Sequence, residues 1–120
     1  KLDVLCYLGQ IATGSQIDPR DYLIYKITNK GKKPIVIGSI GGKTKEKGFF
    51  IPFPSGEQLP KELKPGEIAA FTSCNPGTFE MLNKNLKYLC AWDTLGKSYK
   101  ANKKEVKKII NSMKELSAVS

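Results

Sequence analysis

The sequence contains no histidine, and its only arginine is Arg20. Without an imidazole, a nucleophilic serine or Cys74 would need a lysine or a carboxylate as its general base, and no motif places one beside it. Asp93 and the scattered glutamates also lack the spacing of metal ligands. These absences predict a chain that is not an enzyme, with no catalytic residue, no cofactor, no metal site and no small-molecule substrate.

Cysteine is scarce as well, and Cys6, Cys74 and Cys90 lie far apart in the chain. Three cysteines at this spacing are too few for a zinc knuckle, and an odd number leaves at least one thiol unpaired. We therefore expect reduced thiols and a reducing compartment. One disulfide with one free thiol is the alternative.

Long apolar runs are also missing, because none approaches the roughly 20 residues that a membrane-spanning helix needs. No segment is therefore predicted to insert into a bilayer. The first residue is Lys1 rather than Met, so we interpret the chain as a processed product or an excised fragment, in which an upstream signal would not be visible. The cytoplasm is the favoured location, and a soluble domain that follows an upstream membrane anchor is the alternative.

The charge is strongly positive, with a formal net charge of +9. Nearly all of this charge comes from lysine, whereas base recognition and bidentate phosphate binding favour the guanidinium group of arginine. A solvated, lysine-rich surface is therefore the favoured interpretation. Binding to nucleic acid or to an anionic membrane surface is the alternative.

The strongest structural signal is Tyr22 to Ile40, where two β-rich apolar runs flank a polar turn. Leu23, Tyr25 and Ile27 alternate with more polar neighbours, which predicts a half-buried strand paired with the next one. Similar patterns predict further strands at Lys1–Leu8, Ile68–Ser73, Leu86–Trp92 and Lys97–Ala101, and a short helical turn is predicted at Thr78–Asn85. The strand at Leu86–Trp92 is predicted to be central and buried, because it places Leu86, Tyr88, Cys90 and Trp92 on one face while the other face is also apolar. Any strand at Phe49–Phe53 is predicted to be very short or to lie at a sheet edge, because Pro52 and Pro54 lack a backbone donor.

The pattern changes to a helical one after Ala101. Apolar residues recur at spacings of three and four from Lys103 to Leu116, at Val106, Ile109, Ile110, Met113 and Leu116. Asn102 is the predicted N-cap, and Glu105 is its predicted capping-box partner. Because a single residue separates this helix from the last strand, we expect it to pack on its own domain. A helix that projects to bind a partner or a second copy is the alternative.

The segment between the central strands and the phenylalanine-rich stretch is rich in glycine and lysine. Gly38 to Thr44 ends like a phosphate-binding loop, but its glycines are one residue too close and no helix is predicted after it. Gly41 to Gly48 is instead predicted to be an exposed loop. The following aromatic residues and the loop lysines form the candidate surface for a protein partner, which consists of Phe49, Phe50, Phe53, Lys43, Lys45 and Lys47.

Short strands separated by turns, without helices between them, predict an all-β fold. The expected architecture is an immunoglobulin-like, two-sheet antiparallel β-sandwich of about seven strands with a C-terminal α-helix. Residues 1–101 would form the sandwich, and residues 102–120 would form the amphipathic helix packed on the same domain.

Three motifs, YKITNKGKKPIVI, LPKELKPGE and CAWDTLGKSY, together resemble a group of uncharacterised bacterial and phage proteins with an immunoglobulin-like or fibronectin-like sandwich. The resemblance covers most of Tyr22 to Tyr99 and implies a fold but no reaction. Tyr88 and Cys90 also resemble the Tyr-x-Cys of an antibody domain, although Tyr22–Asn29 has no cysteine to pair with. The function predicted on these grounds is a non-enzymatic interaction or accessory module that binds a protein through an edge strand or loops.

Overall fold

The computed structural model describes residues 1–9, 12–13, 16–17, 22–51, 54–74, 76–82 and 85–119. The described strands are β1 (Leu2–Gly9), β2 (Ala12–Thr13), β3 (Gln16–Ile17), β4 (Tyr22–Asn29), β5 (Ile35–Thr44), β6 (Gly48–Phe50), β7 (Ser55–Gly56), β8 (Lys61–Leu63), β9 (Ile68–Ser73), β10 (Leu86–Asp93) and β11 (Ser98–Lys100). The helices are α1 (Pro76–Leu82) and α2 (Lys103–Val119).

The strands form two larger antiparallel sheets. The first sheet has the order β1-β4-β9-β7, and the second has the order β11-β10-β5-β6, with β8 beside β6 on the same edge of β5. A small separate hairpin pairs β2 with β3. The prediction of a mostly β protein with two antiparallel sheets and a C-terminal helix is therefore confirmed.

The described part of the chain contains eleven strands rather than about seven. The additional ones, β2, β3, β7 and β8, are only two or three residues long. Segments this short carry too little alternation to be recognised in a sequence. Helix α1 overlaps the predicted helical turn at Thr78–Asn85, of which residues 83–84 lie outside the described residues.

The core lies between the two sheets. Its largest fully buried apolar side chains come from both of them, and they are Leu23, Tyr25, Ile27, Ile37, Ile40, Leu63, Phe71 and Leu89. Tyr25 of β4 donates a hydrogen bond from its hydroxyl to the carbonyl oxygen of Gly41 in β5. This bond satisfies the hydroxyl in the core and joins the two sheets.

The predicted pairing of the two central strands is wrong, because β4 and β5 lie in different sheets. Both edges of β4 are occupied, one by β1 and the other by β9. The turn after β4 is held by Asn29, whose Nδ2 donates to the Lys33 carbonyl at 2.9 Å and whose Oδ1 accepts from the Gly31 amide at 2.9 Å. The connection therefore carries the chain from one sheet to the other.

The predicted exposed loop at Gly41–Gly48 is wrong for its first four residues, because β5 continues through Gly41 and Gly42 to Thr44. A Cβ atom on Gly41 would lie 2.3 Å from the Phe49 carbonyl oxygen, and one on Gly42 would lie 2.5 Å from that of Tyr88. These glycines therefore allow close backbone approach inside a sheet rather than loop flexibility. Only the residues between Thr44 and Gly48 form the connection to β6.

Strand β10 lies between β5 and β11, as expected for a central strand. Leu89 and Ala91 face the core. Since side chains alternate along a strand, Tyr88, Cys90 and Trp92 lie on the opposite face. The register shifts between Leu86 and Tyr88, so Leu86 does not share their face, contrary to the prediction.

Helix α2 packs against β1 and β10. The Asn102 Oδ1 accepts the Lys104 amide at 2.9 Å, as predicted for the N-cap, whereas the Glu105 carboxylate pairs with Lys108 Nζ at 3.3 Å. The buried side chains of the helix include Val106, Ile109 and Met113. The side chain of Leu116 lies outside the described residues. Within the described part of the chain, neither helix is long and apolar enough to span a bilayer.

Candidate functional site

The candidate site lies on the outward face of the second sheet, which is the face opposite the core. Directly opposed residues of an antiparallel sheet share a face. The register pairs Ser39 with Trp92, and it pairs Gly41 with both Phe50 and Cys90. Phe50 and Trp92 therefore lie on the same outward face, two strands apart.

A groove opens between these two aromatic residues. It has a volume of about 450 Å³ and is lined by Ser39, Gly48, Phe49, Phe50 and Trp92, and we call it the aromatic groove. Phe50 is 65% exposed, which is unusual for a side chain of its size. Phe49 instead packs partly against the core, because neighbouring residues of a strand point to opposite faces. Strand β6 is thus anchored to the core through Phe49, while the exposed ring of Phe50 lines the groove.

Strand β6 is an edge strand of the second sheet and pairs with β5. Among the described residues, its other edge has no strand partner. The Ile51 amide after it still donates to the Ile40 carbonyl at 2.7 Å, which holds the end of the strand in place. The structure therefore places an open, short and fixed strand edge beside the aromatic groove, as predicted for Phe49–Phe53.

The three lysines of the candidate surface lie on the same hairpin. Lys43 is exposed at the end of β5, and Lys45 and Lys47 are exposed in the connection. The connection is fixed by Thr44, whose hydroxyl donates to the Lys47 carbonyl at 2.6 Å. The hairpin therefore places the three positively charged lysines close to the open edge of β6.

The structure brings together five of the six residues predicted for the partner surface. Phe49 and Phe50 line the aromatic groove, and Lys43, Lys45 and Lys47 flank its hairpin. Phe53 lies outside the described residues.

Sequence reasoning missed three lining residues, Ser39, Gly48 and Trp92. Trp92 was interpreted as part of a buried strand because both faces of Leu86–Trp92 carry apolar residues. The signal that identifies its exposed face is the register with Ser39, which depends on pairing between distant segments.

The three cysteines are free thiols, and Cys6 and Cys90 are fully buried. Burial raises the pKa of the Cys6 thiol far above its ordinary value, and the nearby Cys90 adds to the shift. Burial also raises the pKa of Cys90 to about 11, partly opposed by the positive charge of Lys100. Since the thiolate is the nucleophilic form, these two thiols are poor nucleophiles.

No cluster of three or more potential metal ligands occurs among the described residues. Asp93 instead serves a turn, because its Oδ1 accepts the amides of Leu95 at 3.0 Å and Lys97 at 2.9 Å. Its Oδ2 accepts the Tyr99 hydroxyl at 3.1 Å. Both carboxylate oxygens therefore help to close the hairpin between β10 and β11.

No family model, curated protein or solved structure matches this chain.

Proposed function

We propose that the chain is a non-enzymatic, immunoglobulin-like interaction module that binds an extended segment of a partner protein along β6. The observation that carries this proposal is the exposed Phe50, on an open strand edge and beside the aromatic groove. An added strand would pair with the backbone of β6, and one of its apolar side chains would enter the groove.

The strand order supports the immunoglobulin-like part of the proposal. That fold has one sheet of strands lettered A, B, E and D and a second of G, F and C, to which variable-type domains add C′. The order β1-β4-β9-β7 corresponds to the first sheet, and β11-β10-β5-β6 corresponds to the second. One departure is Cys90, which faces away from the core and therefore does not reproduce the inter-sheet cysteine of antibody domains.

The charges indicate the chemistry of the partner segment. Lys43, Lys45 and Lys47 flank the open edge, and Glu46 is the only acidic residue between them. Complementary charges steer association and fix the register of binding. We therefore propose an acidic segment with an apolar or aromatic anchor. Burying one such anchor contributes at most about 1.5–3 kcal/mol, so the interaction is expected to be weak and reversible.

The experiment is a selection from a library of short peptides with acidic flanks around a central apolar position. The selected peptides should bind the protein, and amide hydrogen exchange should slow at Gly48–Phe50. Phe50→Ser should weaken binding by about tenfold or more, because it removes a side chain of this size from the groove. Ile68→Ser is the matched control, because Ile68 is 54% exposed on β9 in the other sheet. Peptides that bind the Phe50 and Ile68 variants equally would refute the proposed site.

Nucleic-acid binding is a second candidate, because the same outward face carries Tyr88 next to Lys43 and Lys100. Aromatic rings that stack on bases, combined with lysines along the backbone, are typical of single-strand binding. Affinity for oligothymidylate should then fall steeply with salt, with a logarithmic slope of about −0.7 per phosphate contact. Tyr88→Ala should also weaken the binding of oligothymidylate at a fixed salt concentration, because it removes the stacking ring. Affinity that is independent of salt would exclude this candidate.

A further inference from the structure

A second groove lies between the first turns of α2 and the strands β10 and β11. Its volume is about 290 Å³, near the lower end of the range for small-molecule sites. Its apolar floor is formed by Tyr88, Ala101, Val106 and Ile110. Ala101 and Val106 are each 5% exposed. The floor is thus continuous with the packed interface under the helix.

The rim of this groove is positively charged. Every charged residue that lines it in the described part of the chain is a lysine, namely Lys87, Lys100, Lys103 and Lys107. Like charges that converge on one cavity repel each other, and an anion relieves that repulsion.

Most of these ammonium groups have no carboxylate partner. Lys108, on the same helix, pairs with Glu105 at 3.3 Å, whereas Lys87, Lys103 and Lys107 form no ion pair among the described residues. The fourth, Lys100, lies 4.5 Å from the centre of the Tyr88 ring, where it is attracted by the face of the ring. The Tyr88 ring therefore holds the ammonium group of Lys100 at the wall of the groove.

We propose that this lysine-rimmed groove binds a small amphiphilic anion from solution, an acyl chain that ends in a carboxylate. The chain would lie on Val106 and Ile110, and the carboxylate would lie among the lysines. An inorganic anion would make no contact with the apolar floor, and a neutral hydrocarbon would leave the positive charges of the lysines without a counter-charge. The aliphatic floor favours an acyl chain over a stacked base, because Lys100 already covers one face of the Tyr88 ring.

The groove also favours a free ligand over a membrane surface. A protein that rests on a bilayer inserts protruding apolar side chains into it. Here the apolar residues Ala101 and Val106 line a groove and are buried, so neither side chain protrudes from the surface. The occupant must therefore enter the groove as a separate molecule.

The test is an NMR titration of the protein with octanoate, with octanol as a neutral ligand of the same chain length. Octanoate should shift the amide signals of α2 and β10 around the groove, and octanol should bind at least several-fold more weakly. Lys103→Gln combined with Lys107→Gln should raise the Kd for octanoate by about tenfold, because it removes two of the four positive charges that line the groove. The matched control is Lys104→Gln with Lys108→Gln, which removes the same charge from the same helix and should change the Kd less than about twofold.

Several outcomes would overturn the proposal. Equal binding of octanoate and octanol would show that the rim charges play no part. Equal effects of the two double variants would show that only the net charge matters. Displacement of octanoate by inorganic phosphate alone, binding only to anionic phospholipid vesicles, or binding only to oligothymidylate would each assign the lysines to a different ligand. Shifts at Phe50 and Trp92 instead would place the ligand in the aromatic groove.

Discussion

The side-chain amide of Asn29 donates a hydrogen bond to the carbonyl oxygen of Leu63 at 2.8 Å, and Asn29 itself is fully buried. The same residue binds the next turn through its backbone, with its amide donating to the Glu67 carbonyl at 3.0 Å and its carbonyl accepting the Gly66 amide at 2.8 Å. Two segments that are far apart in the sequence thus meet at one asparagine. The motifs around them are therefore structural, because their polar residues close turns and join the sheets.

We predict that Asn29→Asp lowers the free energy of unfolding by about 2–4 kcal/mol. A carboxylate cannot donate to the carbonyls of Lys33 and Leu63, and a buried charge would lie against both oxygens. Urea denaturation measures the change. Asn102→Asp is the matched control, since the N-cap oxygen only accepts a hydrogen bond, and it should change stability by less than about 0.5 kcal/mol. Equal effects of the two substitutions would contradict the assigned role of Asn29.

Asp93 should make stability depend on acid pH. Desolvation on its own raises the pKa of this carboxyl, but hydrogen bonds from Lys97, Tyr99 and Leu95 outweigh it, and the net pKa lies below the ordinary value of 3.8. Because the folded-state pKa is lowered, the stabilisation is complete above pH 3.8 and is lost as the pH falls through the folded-state value.

Asp93→Asn should therefore reduce stability by about 1 kcal/mol at neutral pH and by less in acid. Thermal melting at a series of pH values measures both effects. Asp3→Asn is the control, because its pair with Lys30 at 3.6 Å is exposed and contributes little. A stability difference between the wild type and Asp93→Asn that stays constant down to the lowest pH would be inconsistent with this account.

Native alkylation should distinguish the three cysteines. Cys74 is half-buried, whereas Cys6 and Cys90 are fully buried and their thiol pKa values are raised by burial. Iodoacetamide at about pH 8 should therefore modify Cys74 first, because the thiolate reacts and the other two remain protonated. Mass spectrometry measures the order, and unfolding in urea should make all three react. Modification of Cys90 as fast as Cys74 in the folded protein would contradict the prediction.

The raised cysteine pKa values also predict a loss of stability in alkali. Between the ordinary thiol value of 9.0 and the folded value of about 11, Cys90 is ionised in the unfolded chain and protonated in the folded protein. The unfolded state then binds fewer protons, so the free energy of unfolding falls as the pH rises, by about 1.4 kcal/mol per pH unit for one thiol. Cys90→Ala should reduce this slope in urea denaturation without abolishing it, because the pKa of Cys6 is also raised by burial. A slope that is unchanged in Cys90→Ala would contradict the prediction.

Helix α2 should stabilise the fold rather than join two copies of the chain. Ile109 and Met113 are 2% and 6% exposed against the core. Ile109→Asp with Met113→Asp should therefore lower the melting temperature sharply, because it buries two unpaired carboxylates, while the protein stays monomeric in sedimentation. Asn111→Asp on the exposed side of the helix is the control. An unchanged melting temperature, with a dimer converted to a monomer, would instead make the helix an interface.

The sequence by itself determined the local elements of this protein. The alternation around Leu23 and Tyr25 predicted a strand, and the spacing from Val106 onwards predicted the final helix. The Pro65-Gly66 turn was also predictable, and Gly66 has the positive φ of 86° that this turn requires. These features depend on residues close in sequence, where the side-chain period and the backbone preferences act directly.

Only the tertiary structure decided which strands meet and which faces they expose. Local alternation does not specify a partner, so it could not show that β4 and β5 enter different sheets. Nor could it show that Gly41 lies in a strand, since its role depends on the close approach of Phe49. Phe50 and Trp92 share a groove because β5 pairs with β6 on one edge and β10 on the other. Such pairings join distant segments, and the sheet register alone brings their side chains to one face.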